Sequence, residues 1–224
     1  MGALKFSSLS EQVYAYLRTE MINGNLTPGS TINIGEIASE LGISKTPLRD
    51  ALIHLELEGF VTIIPRRGVL VNELKISDVK NAYEAVGLIE AFIVEKGIEH
   101  ITSSHIQELQ KLNEIMIKDI QNNDFSRIFE TNLEFHSVYV DSSDNELLQK
   151  FILPIKHRLY DFPRHNFIPE WEMRNCEEHR QFIEQLKKGN GKEAGSILRD
   201  KHWSYEYQKD FIYAFYKKNI EMAP

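Results

Sequence analysis

The chain is short of the features that mark secreted or membrane proteins. It has a single cysteine, Cys176, in 224 residues. No internal disulfide is possible, and one thiol fits a reducing cytoplasm. No apolar run is long enough to cross a bilayer. Residues 1–20 contain Glu11 and Glu20 and lack the pattern of a secretory leader. Internal repeats and low-complexity segments are absent. There is no excess of positive charge either: the net charge is −7. What remains is a globular composition, 42% hydrophobic and 26% charged, long enough for a substantial core.

The most informative stretch is residues 44–59. Ser44 is a helix N-cap whose hydroxyl is expected to take up a free backbone N–H. Pro47 falls in the first turn, where a missing N–H costs little. Leu48, Ala51, Leu52 and Leu55 recur at i, i+3, i+4, i+7 and form one apolar face. Gly59 can take the left-handed conformation that ends a helix. The other face starts with Lys45, Thr46 and Arg49, groups suited to guanine edges or phosphates in a major groove. Taken alone, this reads better as an ordinary amphipathic surface helix with a solvated charged face.

Its neighbours shift the balance. Residues 33–43 read as a shorter helix ending at Gly42, with a small Ala38 that permits a close helix crossing. Together the two make a helix-turn-helix. Residues 60–64 and 69–71 are β-prone runs joined by Pro65-Arg66-Arg67-Gly68. This is a hairpin wing with two cations at its tip, placed for a minor groove or phosphates. Residues 8–24 read as a preceding helix, with Val13, Tyr14, Leu17, Met21 and Ile22 on one face. Thr31-Ile32 reads as a short strand.

Charge is distributed accordingly. Residues 1–72 hold six Lys and Arg against seven Asp and Glu, a net of −1; residues 73–224 hold 20 against 26, a net of −6. Four of the six N-terminal cations lie on the second helix and the wing. The pattern favours sequence-specific binding with modest non-specific affinity.

These stretches resemble the GntR family of transcriptional regulators. The likeness is carried by residues 26–32 (Leu26, Thr27, Pro28, Gly29), by residues 41–52 and by residues 55–61. It implies DNA contacts from Lys45, Thr46, Arg49 and Gly68, to which the wing arginines Arg66 and Arg67 are added. The family often has an arginine where this chain has Gly35, so one backbone contact is missing.

The connector at residues 72–75 lacks Gly/Ser character, so the two domains, 1–72 and 73–224, are not expected to be freely tethered. From Ile76 onward no strand pattern is found. Six helices are expected, at about 76–100, 104–122, 124–141, 144–162, 170–188 and 190–219. The fold class is therefore mainly α, a winged helix-turn-helix domain followed by an all-α bundle. The bundle resembles the effector-binding FCD domain of the FadR subgroup.

Within it, Asn132 and His136 are four apart and share a helix face. His179 and His202 lie on two other helices. Three imidazoles from three helices can converge on one divalent ion, of the Zn²⁺, Ni²⁺ or Mn²⁺ class. Spacing alone does not separate this from three packed histidines. The local sequences around Asn132–His136, Asn145–Leu148, His179 and His202 resemble the metal-binding FCD pattern, which implies a metal held by Asn132, His136, His179 and His202. Asn132 stands where the family usually has Asp, so the site loses an anion. Val86 stands where many relatives carry a pocket arginine. Arg158 matches another arginine position and is the expected effector contact. Trp171, Trp203, Tyr205, Tyr207, Phe211, Tyr213, Phe215 and Tyr216 are expected to serve core and dimer packing.

The resemblance implies a regulator, a repressor of a metabolic operon, acting as a homodimer on a palindromic operator in the cytoplasm. Its effector would be a small carboxylate or sugar acid. The alternatives are a metal-dependent hydrolase and a metal-free effector-binding regulator. Against the hydrolase, no carboxylate is an obvious general base: Glu178 adjoins His179 but is expected on a different helix face.

Overall fold

The computed structural model describes residues 8–160 and 167–221. The described residues fall into two compact units. One contains the chain up to Lys75, the stretch from His157 to Tyr160 and residues 219–221; the other runs from Ile76 to Lys156 and from residue 167 to Lys218.

The first unit begins with α1 (Leu9–Ile22). Ser8 and Glu11 form a reciprocal capping box, with the Ser8 amide donating to Glu11 Oε2 at 2.6 Å and the Glu11 amide to Ser8 Oγ at 3.2 Å. Strand β1 (Thr31–Ile32), α2 (Ile34–Glu40), α3 (Lys45–Leu57), β2 (Val61–Ile64) and β3 (Gly68–Val71) follow. The strands form an antiparallel sheet in the order β1-β3-β2, with Thr31 opposite Leu70 and Val61 opposite Val71. Leu48, Ala51, Leu52 and Leu55 of α3 are buried in a core with Val13, Leu17, Ile32, Phe60 and Val69, as the apolar spacing predicts.

Helices α2 and α3 end in the same way. Gly42 (φ 64°) and Gly59 (φ 80°) are left-handed. The Ile43 amide donates to Ala38 O and the Phe60 amide to Leu55 O, which satisfies carbonyls a helix end would otherwise orphan. Ser44 occupies the N-cap of α3, but its side chain makes no cap hydrogen bond. The expected hydroxyl cap is thus corrected: the residue is placed for it, and the hydroxyl is left outward.

The second unit holds α4 (Ile76–Gly97), α5 (Ser103–Gln121), α6 (Ile128–Val140), most of α7 (Glu146–Tyr160), α8 (Pro169–Lys187), α9 (Gly191–Ile197) and most of α10 (Tyr205–Glu221). No strand occurs here among the described residues. Two expected helices differ. Helix α6 starts at Ile128, not 124, because the Asp124 carboxylate takes the Ser126 amide and hydroxyl and holds a turn there. The expected helix 190–219 is broken. After α9 the residues Leu198–His202 form a π-helical turn, in which the Trp203 amide reaches back five residues to Leu198 O at 2.8 Å. Such turns are frequent at functional sites. Ser204 then starts α10, accepting from the Tyr207 amide.

Helices α4 and α9 cross closely. A Cβ on Gly195 would stand 2.7 Å from Glu95 Cγ and 3.0 Å from Ala91 O. Only glycine allows that approach, and it lines the π turn up along α4.

Candidate functional site

Two groups of residues carry chemistry. In the first unit, Lys45, Thr46 and Arg49 are exposed on the first turns of α3, and Arg66 and Arg67 are exposed at the wing tip. Arg66 is held at φ 65° and Gly68 at φ 108°. A positive φ is costly for arginine, and here it shapes the tight β2–β3 turn that carries both guanidinium groups outward. Leucines behind α3 fix its axis, so its charged face is presented by a rigid support.

Arg158 belongs to this first unit. It donates to Asn72 O (3.4 Å) and Glu73 O (2.8 Å), and its guanidinium lies 5.5 Å over the Phe60 ring. It therefore fastens the backbone at the end of β3. The three histidines lie in the other unit.

In that second unit, His136 (α6), His179 (α8) and His202 (the π turn) come together. Each offers one nitrogen such that all three atoms lie within 4.8 Å of one another, and all three residues are buried. Ring centroids are 5.4 Å apart for His136–His179, 5.1 Å for His136–His202 and 4.7 Å for His179–His202. Asn132 lies one turn before His136 on α6 and is half-buried.

Each ring is gripped from outside by its Nδ1. His136 Nδ1 meets Glu90 Oε2 at 2.9 Å. His202 Nδ1 meets Glu178 Oε2 at 3.1 Å. His179 Nδ1 meets Asn113 Oδ1 at 3.2 Å, while Asn113 Nδ2 donates to Cys176 O. An ionised carboxylate and an amide oxygen only accept, so each Nδ1 must carry the proton. In a neutral imidazole the Nε2 lone pair is then free. His136 Nε2 and His202 Nε2 are 3.2 Å apart, and His179 Nε2 is buried without a partner. A buried acceptor left without a partner is unfavourable by itself. It is what a cation would relieve, so these residues fit a bound divalent metal.

Burial pushes His136 down to about 3, with the Lys156 and His202 charges adding and Glu90 opposing. His179 is also well below its ordinary value, chiefly through burial. Both rings are neutral near pH 7, the form that ligates. Burial alone would raise the Glu90 pKa, but His136 and Lys156 outweigh it and keep the carboxylate ionised.

Glu90 sits at the centre of a buried cluster. It pairs with Lys156 of α7 and accepts from Tyr139 Oη at 2.6 Å and Trp203 Nε1 at 2.7 Å. Glu178 is equally engaged, accepting from Gln208 Nε2 at 2.9 and 3.0 Å and from Arg174 Nε at 3.3 Å. Glu178 turns from His179, yet it is buried and meets His202 on a different element, so it belongs to the site. Trp203 is likewise more than packing, since its indole N–H is committed to Glu90. Tyr207 and Tyr213 are exposed, unlike Trp171, Phe215 and Tyr216. Sequence reasoning missed Glu90, Asn113 and Lys156. The signal for Glu90 was a single acid amid Val86, Gly87, Ala91 and Val94 on one helix face.

A winged helix-turn-helix unit followed in the chain by an all-helical unit is the make-up of a DNA-binding transcriptional regulator. The chain belongs to the GntR regulators with an FCD domain: residues 9–71 match the model "Bacterial regulatory proteins, gntR family", and residues 81–201 match the "FCD domain". It is 29% identical over 197 residues to the uncharacterized HTH-type transcriptional regulator YdhC of Bacillus subtilis, covering 87% of this chain and 88% of that protein. It is 29% identical over 142 residues to the HTH-type transcriptional repressor RspR of Escherichia coli, covering 62% and 61%. The fold matches the structure of E. coli McbR/YncC with a TM-score of 0.71 at 23% identity, over 95% of this chain and 99% of that one. These families are regulators and not enzymes, which sets aside the hydrolase alternative. No described helix is long and apolar enough to cross a membrane.

Proposed function

We propose that the chain is a cytoplasmic, metal-dependent repressor that binds a palindromic operator as a homodimer and releases it in response to a small carboxylate or sugar acid. Residues 1–72 supply the DNA-binding face through Lys45, Thr46, Arg49, Arg66, Arg67 and Gly68. A single recognition helix reads one half-site, which is the argument for a dimer on an inverted repeat. Residues 73–224 supply the sensor and the dimer contacts.

The observation that carries the sensor reading is the set of three buried imidazoles whose Nδ1 atoms are all engaged outward. His136, His179 and His202 would hold the ion, with the Asn132 carbonyl as a fourth ligand. Neutral nitrogen donors suit Zn²⁺ or Ni²⁺ better than Mn²⁺, which prefers oxygen. The ion would supply a positive centre with open coordination positions for an effector carboxylate. Arg158 is assigned to the connector and not to the effector, because its guanidinium is committed to Asn72 O and Glu73 O. Effector binding then acts by stabilising the sensor conformation that is incompatible with DNA.

The test is elemental analysis and native mass spectrometry of protein purified without chelator, followed by metal titration. His136→Ala, His179→Ala and His202→Ala should each lose the metal. Asn132→Asp should bind it more tightly and the acid more weakly, since a carboxylate adds charge that the effector must share. Wild type that binds no divalent metal at neutral pH, and is not rescued by Asn132→Asp, would overturn the metal reading and leave the histidines as direct effector ligands or core residues.

A further inference from the structure

The ligand set lacks an anion of its own, yet its surroundings do not. Glu90 on α4 holds His136 at 2.9 Å and Glu178 on α8 holds His202 at 3.1 Å, both buried. Asn113 on α5 holds His179 at 3.2 Å with a neutral amide. We propose that Glu90 and Glu178 are positioning residues that set the metal affinity of this site, returning through His136 and His202 the negative charge that Asn132 does not supply. The inference rests on the metal reading above.

The physical route is short. A carboxylate accepting the Nδ1–H of a ligating imidazole fixes its tautomer and its ring plane and raises the donor strength of Nε2. Two of the three rings have such a partner and the third does not. His136 and His202, whose Nε2 atoms already lie 3.2 Å apart, become the strong ligands. His179, backed by an amide and stacked 3.9 Å from Phe135, becomes the weak one. The two carboxylates are themselves held in place, Glu90 by Tyr139, Trp203 and Lys156, and Glu178 by Gln208 and Arg174. Lys156 shares the charge of Glu90 and tempers its effect on His136.

The test uses the full-length protein and competitive Zn²⁺ titration. Glu178→Gln keeps the shape and the side-chain oxygen. The double variant Glu90→Gln with Lys156→Met removes both buried charges together, so that no unpaired ion is left to unfold the bundle. Each should weaken Zn²⁺ binding roughly 10–100-fold. The ligand-field absorption of the Co²⁺-loaded protein should shift as the ring donors weaken. Val79→Ala, a core truncation in α4, should lower the melting temperature of the metal-free protein without lowering its affinity in this way. Wild type that binds Zn²⁺ alongside both variants within twofold of it would overturn the positioning role and leave the metal site standing. Affinity losses that merely follow the metal-free melting temperature, with Val79→Ala on the same line, would also overturn it. No Zn²⁺ binding by wild type would remove both readings.

Discussion

The winged unit carries its chemistry on exposed side chains, whereas the helical unit carries its own on buried ones. In the winged unit, Lys45, Arg49, Arg66 and Arg67 are exposed and the core beneath them is hydrocarbon: Val13, Leu17, Leu48, Leu52, Leu55 and Val69. Function and stability are therefore separable there. In the helical unit the candidate site is part of the core. Glu90, His136, Lys156, Glu178, His179, His202 and Gln208 are all buried, and each holds another in place. A substitution there changes the site and the fold together.

The largest expected effect probes that difference. Glu90→Ala leaves Lys156 buried without its counter-ion and strips a partner from His136, Tyr139 and Trp203. Breaking a buried pair on one side costs about 3–5 kcal/mol, to be read as a shift in the urea midpoint of the metal-free protein. A cost below about 1 kcal/mol would show that the helical unit does not depend on this cluster.

Arg49→Ala is the counterpart in the winged unit. It should cost on the order of 1–3 kcal/mol of operator affinity while moving stability by no more than about 0.5 kcal/mol. Replacing Arg66 and Arg67 together should weaken binding with less loss of sequence preference and a shallower salt dependence. Fluorescence anisotropy at several salt concentrations, with melting curves alongside, reads both. Unchanged operator binding in folded variants would remove these residues from the DNA face.

The contrast also explains what the sequence disclosed. The winged unit was legible because its signals are contiguous: a leucine period of 3.6, Gly42 and Gly59 at the helix ends, and an Arg-Arg-Gly turn between two β-prone runs. The helical unit was legible as a set of helices, and its three histidines stood out only through their local sequences. The remainder depends on which side chains meet in space. The π turn at Leu198–His202 contains neither glycine nor proline, so nothing in the sequence marks the break and 190–219 read as one helix. Glu178 was set aside because neighbours on one helix point about 100° apart, which says nothing of a second element, carrying His202, arriving on that other side. Arg158 resembled a pocket arginine by position, and only the fold shows it bonded to the connector.

Acid should separate the units next. His136 is neutral in the folded helical unit, with its pKa lowered to about 3 from an ordinary 6.5. Between those values the unfolded chain binds more protons than the native one. The stability this group contributes is fully present above about pH 6.5 and is lost as pH falls toward 3, by up to about 1.4 kcal/mol per pH unit. His157, in the winged unit, is lowered to about 4 by burial and by Arg18, so its loss follows the same slope but levels off sooner, near pH 4. Metal-free protein followed in urea from pH 7 down to 3 should lose stability steadily; His136→Gln and His157→Gln should flatten that loss alike down to about pH 4, and below it only His136→Gln should flatten it further. Equal flattening below about pH 4 would contradict the deeper burial of His136.

The smallest effect lies inside the winged unit and compares two serines that look alike in sequence. Ser8 and Ser44 both stand at helix N-caps. Ser8 is tied into a two-way capping box with Glu11, whereas the Ser44 hydroxyl makes no cap bond. Ser8→Ala should therefore cost about 1 kcal/mol, the usual loss for a working cap. Ser44→Ala removes no intramolecular hydrogen bond and should cost only a few tenths of that, since the extended backbone at the cap is kept. Melting temperatures of the two variants decide the matter. Equal losses would mean that Ser44 does cap α3 in solution, which would return the start of the recognition helix to the arrangement its sequence suggests.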